Sequence, residues 1–363
     1  MMNQFTITLS FLLVCSAHAN AQVKQQPKPV KSGAAAHAGV KDKGEGPNAA
    51  DVYLLAIEEL RKALHDPAKA LSDPSGDFWG LPIEAKAQIE DPSNQLWRDA
   101  VTKSAVAITL FAQAAQISRC EFDRYPKELA TGLTRQLTDF GIMLKVVTAH
   151  GWQQSKRVPA SAVMTGLQML RYADHCAQDR SLLGVAVGLH AEERATGLLE
   201  AAASELAKQE QARVNADRFL KQLDAYLSRR LSHAVIADIA EHDFAFHLEN
   251  GLSEGARKNP SLSRAVKRAK VIMRELFEPL RRRPAMPLAD FRVRWSKRVD
   301  SLREISKGEK MDDLLVTGSG EPLAAVLVLV ACVPPSQLLE MCHANKVVLE
   351  ACARDLRKLA RSK

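Results

Sequence analysis

The chain has 363 residues, 46% apolar and 25% charged, enough to bury one large core or two ordinary ones. Aromatic residues make up only 5%, and the abundance of Ala and Leu argues for helix and against a β-sandwich. Fifty Lys and Arg against 42 Asp and Glu leave a net charge of +8, a modest excess whose distribution matters more than its sum.

Residues 1–21 have the pattern of a signal peptide. An apolar run from Ile7 to Cys15 is too short to span a bilayer, and two overlapping small-residue cleavage sites follow it, Ala17-His18-Ala19 and Ala19-Asn20-Ala21. No Lys or Arg precedes the run, so the amino terminus alone supplies positive charge there. Export to the periplasm or the exterior is therefore expected. Residues 22–47 are rich in Lys, Gln, Pro, Gly and Ala without apolar periodicity, the composition of a disordered linker. An all-helical domain is expected over 48–363, with a subdivision near 253–260.

Asn48 can cap a first helix through Tyr53, Leu54, Ile57 and Leu60, which Asp66-Pro67 ends. An irregular stretch over 66–92 precedes a helix over Ser93 to Ser118. Pro126 opens the next, with Leu129, Leu133, Leu137, Phe140, Leu144 and Val147 at steps of three and four. Pro159 opens another carrying Val163, Leu167, Leu170, Ala173 and Ala177, and after Gln178-Asp179-Arg180 a long helix runs from Ser181 towards Lys208. Helices over 211–230 and 234–252 follow.

Two further stripes continue the pattern. Leu262, Val266, Ala269, Met273, Leu276 and Leu280 make one, and Leu288, Phe291, Trp295, Val299, Leu302 and Ile305 the other. The apolar run Leu323 to Val333 is too short to span a membrane and is expected as a core helix, before a last helix over Ser336 to Ala360. The fold class is all-α: ten to eleven antiparallel helices in hairpins, stacked as a bundle or a short solenoid.

Five cysteines follow the signal segment: Cys120, Cys176, Cys332, Cys342 and Cys352. An odd, widely spaced set is no disulfide framework, and small buried side chains are expected instead. Cys120 closes the helix carrying Phe111 and Ile117, so Cys120 and Phe122 are expected to pack in the turn to the Pro126 helix. A Cys120–Cys176 bridge would have to join helices about 8 to 10 Å apart at their axes, so Cys120 is expected reduced and inert.

Several segments resemble a group of exported, all-helical bacterial proteins with remotely tetratricopeptide-like hairpins. Asn48 to Leu54 is similar to that group's opening helix. Phe111-Ala112-Gln113-Ala114-Ala115-Gln116-Ile117-Ser118-Arg119-Cys120-Glu121-Phe122 is similar to its most specific signature. Leu167 to Ala173, Leu182 to Val187 and Glu241 to Leu248 follow in matching order, so the resemblance covers about half the chain. It implies the fold and an exported location, and it implies no activity or ligand.

Candidate chemistry is sparse. Asp238 and His242 share a helix face, but His247 lies about 140° round from His242, which leaves too few converging ligands for a metal. His242 is expected as a hydrogen-bonded core histidine beside Ile239 and Phe246. His190 with Glu192 and Glu193, and Asp174 with His175 and Asp179, are expected on solvated helix faces. No nucleophile elbow, zinc-protease, P-loop or dinucleotide motif occurs, so neither metal nor cofactor is expected.

The charge distribution is the strongest lead. Residues 257–310 hold seventeen Lys and Arg against six Asp and Glu, a local excess of +11. Arg264, Lys267, Arg268, Lys270 and Arg274 lie off the first of these stripes, Arg292, Arg294, Lys297, Arg298 and Arg303 off the second. Arg281, Arg282 and Arg283 sit in the link between them. Such a face attracts polyanions. For an exported chain the expected partner is a protein or an anionic envelope component, not nucleic acid. The expected function is a non-enzymatic helical scaffold or binding module; the alternative is an envelope enzyme whose site is assembled from distant helices.

Overall fold

The computed structural model describes residues 46–64, 89–91, 93–125, 130–131, 133, 136–209, 211–251, 260–282, 286–306, 320–331 and 336–361. The expected signal peptide and linker, the 253–260 boundary, Arg283 and Cys332 lie outside them. The architecture is all-helical. Twelve helices are described: α1 (Ala49–Leu64), α2 (Gln95–Lys103), α3 (Ala105–Ala114), α4 (Leu137–Ser155), α5 (Pro159–Gln178), α6 (Leu182–Leu206), α7 (Ala212–Arg229), α8 (His233–Gly251), α9 (Pro260–Arg281), α10 (Leu288–Ile305), α11 (Gly320–Ala331) and α12 (Ser336–Arg361).

Three local expectations need correction. The helix expected over 93–118 breaks at Ser104, whose backbone leaves α geometry at ψ 14° and divides α2 from α3. The helix expected from Pro126 begins at Leu137 instead. Ahead of it Arg124 pairs with Thr131 and Tyr125 with Ala130 in a two-residue antiparallel ladder. Leu133 is buried as expected, whereas Pro126 and Leu129 lie outside the described residues. Cys120 does not close a helix, because α3 ends at Ala114 and the chain runs on without helix to Phe122. Asn48 holds that segment to the start of α1: its Oδ1 accepts from Glu121 N–H and its Nδ2 donates to Glu121 O, both at 2.9 Å.

The closest helix pair is α5 with α6. Arg180 takes the left-handed conformation (φ 52°) that folds the chain back in a short link, and Ser181 caps α6 by accepting from Gly184 N–H at 2.9 Å. Small residues let the two backbones approach. A Cβ at Gly188 would stand 2.8 Å from the Ala173 carbonyl oxygen, a backbone atom that cannot swing aside. Gly188→Ala should therefore destabilise the protein by about 1 to 3 kcal/mol despite the better helix propensity of Ala. Gly197, on the same helix with open space around it, is the control. Gly197→Ala should be neutral or stabilising by up to about 1 kcal/mol in urea unfolding, and equal losses at both positions would refute the close approach.

The apolar stripes build two contiguous cores. One joins α1 to α7 and the C-terminal half of α12 around Tyr53, Phe111, Phe140 and Tyr172. The other joins α8 to α11 and the N-terminal half of α12 around Phe277, Phe291 and Trp295. Helices α6 and α12 contribute to both: Val187 and Leu198 to the first, Val185 and Leu189 to the second.

Candidate functional site

A buried cluster of polar groups converges where α6, the α7–α8 connection and α12 meet. Glu192 is 1% exposed, which corrects its assignment to a solvated face. Its Oε2 accepts from the Arg230 guanidinium at 2.6 Å and from Asn345 Nδ2 at 3.1 Å; Tyr226 OH donates to Oε1 at 2.6 Å, and Arg230 Nε donates there too. Arg230 also donates to the Cys342 carbonyl at 2.5 Å. Burial opposes the arginine's charge, and the Glu192 hydrogen bonds and charge more than offset it. Burial, then the Glu192 carboxylate, pushes the Tyr226 phenol up. The adjoining enclosed cavity, lined by Asp174, Glu192, Tyr226 and Arg230, has a volume of about 10 Å³, room for about one water.

Its neighbours on α5 part company. His175 is fully buried, also against expectation: it shares a 3.0 Å hydrogen bond with the Tyr53 hydroxyl and meets that ring edge-on. Asp179 is buried too and accepts from Ser181 Oγ at 2.5 Å and Thr131 Oγ1 at 3.3 Å. Asp174 pairs with Arg171 at 2.5 Å. His242 is exposed, so it is not the core histidine expected, while His190 lies 3.4 Å from Glu193 and His247 3.5 Å from Asp243. Among the described residues no group of three His, Cys, Asp or Glu could hold a metal ion.

Cys120, Cys176, Cys342 and Cys352 are buried free thiols. Burial, with the Asp179 charge, pushes the Cys120 thiol far up, so it carries no thiolate near neutrality. Phe122 is buried and meets Phe140 edge-on at 5.9 Å.

The basic region divides into paired and unpaired cations. Arg281 spans from α9 to α8, donating to Asp238 and Glu241, each at 2.6 Å, and Arg274 donates to Glu241 at 3.0 Å. Lys270 pairs with Glu249, Arg282 with Glu278 at 3.6 Å, and Arg292 with Glu340 of α12. Arg268 and Arg298 share Glu275 at 3.9 and 3.5 Å, and Arg303 pairs with Asp300 at 3.0 Å. Four cations remain. Arg264, Lys267, Arg294 and Lys297 are exposed, with no carboxylate within 4.0 Å among the described residues.

Two of these four, Arg294 and Lys297, line a cleft of about 820 Å³ between α9 and α10. Leu276, Val293 and Trp295 form its apolar wall, with Glu275, Asp290, Arg298 and Ser301 completing it. Trp295 is held rigidly from behind by Phe277 and Phe291, at ring-centroid distances of 5.4 and 5.8 Å. The linear pattern therefore located the basic face, and only the packing shows which of its charges are spent on neighbouring helices.

No match was found among protein-family models, curated proteins or solved structures.

Proposed function

We propose that the chain is an exported, non-enzymatic helical module that binds anionic envelope components through the α9–α10 face. The observation that carries this reading is the set of four exposed cations, Arg264, Lys267, Arg294 and Lys297, with no carboxylate within 4.0 Å among the described residues, the last two lining an open cleft. Cations already neutralised by Glu or Asp attract a further anion weakly, whereas uncompensated ones raise its local concentration and speed its capture. Among the described residues no helix is long and apolar enough to cross a membrane, so this surface would meet an envelope partner from the aqueous side. The resemblance of residues 48–250 to exported hairpin proteins supports the location.

The buried Glu192–Arg230 cluster fits a structural role. Its titratable groups are bound to each other, and the cavity beside them is far smaller than the roughly 300 to 1,000 Å³ of ligand pockets.

Vesicles containing phosphatidylglycerol test the proposal. The protein should adsorb to them, and raising ionic strength from 0.05 to 0.3 M should weaken adsorption at least about tenfold, because exposed charges are screened within about 10 Å at 0.1 M. The quadruple variant Arg264→Glu, Lys267→Glu, Arg294→Glu, Lys297→Glu should not adsorb. Adsorption insensitive to both salt and the variant would exclude this face. Arg281 is unsuited to the experiment, since reversing it would break the tie between α8 and α9.

A further inference from the structure

We propose that the α9–α10 cleft is a binding site for a single phosphate ester carrying an apolar body, a deepening that rests on the anion-binding reading above. Within the cleft, Arg294, Lys297 and Ser301 stand at i, i+3 and i+7 on one face of α10, with side-chain directions within about 60° of arc. They offer a guanidinium fork, an ammonium and a hydroxyl, three kinds of donor aimed at one edge of the cleft.

A phosphate monoester carries about −1.5 to −2 charges at pH 7 and three acceptor oxygens. That number of oxygens matches the three donors, and its charge matches the two cations left without carboxylates. A carboxylate would neutralise one cation and strand the other.

The remaining lining argues against a polyanionic chain. Asp290 lies one turn before Arg294 and would face the next charge of any polymer running along the groove. Glu275 is already held by Arg268 and Arg298. The ester's apolar part has a wall to cover: chiefly Val293, which is 56% exposed between two arginines, with the small remaining exposed surface of Leu276 and Trp295. Burying that surface separates an ester from inorganic phosphate.

Dodecyl phosphate below its micelle concentration and inorganic phosphate are the probes, followed by calorimetry on the full chain. Dodecyl phosphate should bind at least about tenfold more tightly than inorganic phosphate. Arg294→Gln with Lys297→Gln should weaken it at least about tenfold, and Lys221→Gln with Lys358→Gln, exposed on α7 and α12, should leave it unchanged. All four sites lie on exposed helix surface, and circular dichroism verifies that each variant folds.

Equal affinity for the two probes, or indifference to Arg294→Gln with Lys297→Gln, overturns the cleft. The vesicle arm identifies the source of the ester. In the Arg294→Gln, Lys297→Gln variant, loss of adsorption to vesicles containing phosphatidic acid, a lipid phosphate monoester, along with dodecyl phosphate binding points to a lipid headgroup, and adsorption that survives points to a soluble ester. Wild-type protein that ignores vesicles yet binds dodecyl phosphate through Arg294 and Lys297 would retire the envelope reading and keep the site.

Discussion

Replacing Arg230 by leucine should lower the unfolding free energy by about 3 to 5 kcal/mol, because it strands the Glu192 carboxylate in the interior. Glu192 is 1% exposed, and the Arg230 side chain 5%. The same substitution removes the donor to the Cys342 carbonyl, the link from the α7–α8 connection to α12. The mechanism makes a second, sharper claim. Adding Glu192→Gln to Arg230→Leu should recover about 2 kcal/mol, since a neutral amide tolerates burial better than a stranded carboxylate and keeps an acceptor for Tyr226. Urea unfolding of the two variants at pH 7 measures the difference. No recovery would mean that lost packing, not an uncompensated charge, dominates the single variant.

Acid should destabilise the fold well before its carboxylates titrate. His175 is held down to about 3, chiefly by burial and then by the Arg171 charge; a hydrogen bond to the Ile117 backbone pulls the other way, and the Arg229 charge adds least. Facing it are also Tyr53, whose phenol burial pushes up, and Tyr172, whose ring packs against Tyr53. Above pH 6.5 the imidazole is neutral in both folded and unfolded chains, so its full contribution is present. Between pH 6.5 and 3 the unfolded chain takes up the proton and the folded chain does not, and stability falls as pH falls.

Over the whole window the loss is about 4 kcal/mol, of which about 2 kcal/mol comes between pH 7 and 5, where ordinary carboxylates remain ionised. His150 and His233, both lowered mainly by burial, add in the same direction. His175→Gln should remove most of the slope between pH 7 and 5 while lowering stability at pH 7. An unchanged slope in the variant would place the acid sensitivity elsewhere.

The helix pattern was legible because burial of one face imposes a 3.6-residue period on the residues themselves. The stripes Leu262 to Leu280 and Leu288 to Ile305 lie in α9 and α10 as their spacing requires, except that Ile305, at the end of α10, is 38% exposed. The errors occurred where periodicity and backbone disagree. Leu133 continues the α4 stripe in sequence, yet Arg124–Tyr125 pairs with Ala130–Thr131 in a two-residue ladder before α4 starts at Leu137. Ser104 sits in the middle of an apolar period that spans a break its neighbours do not announce.

Sites were less legible than elements. His242 and Glu192 each sit on helices whose small residues make several faces plausible, and the two were assigned to the wrong sides: His242 is exposed and Glu192 is buried. Arg230 carried no signal at all. It is one of fifty basic residues, and its partners lie 38 and 112 positions away.

By itself, then, the sequence determined the helical class, the order of the helices and the position of the basic region, all of which follow from local spacing and composition. Tertiary structure alone decided which of those basic residues are uncompensated. Arg281 and Arg294 look alike in sequence, but α8 brings Asp238 and Glu241 within 2.6 Å of the first, while the second faces an open cleft. A charge is recognised by where its nearest counter-charge stands, and that distance is set by how separate helices pack.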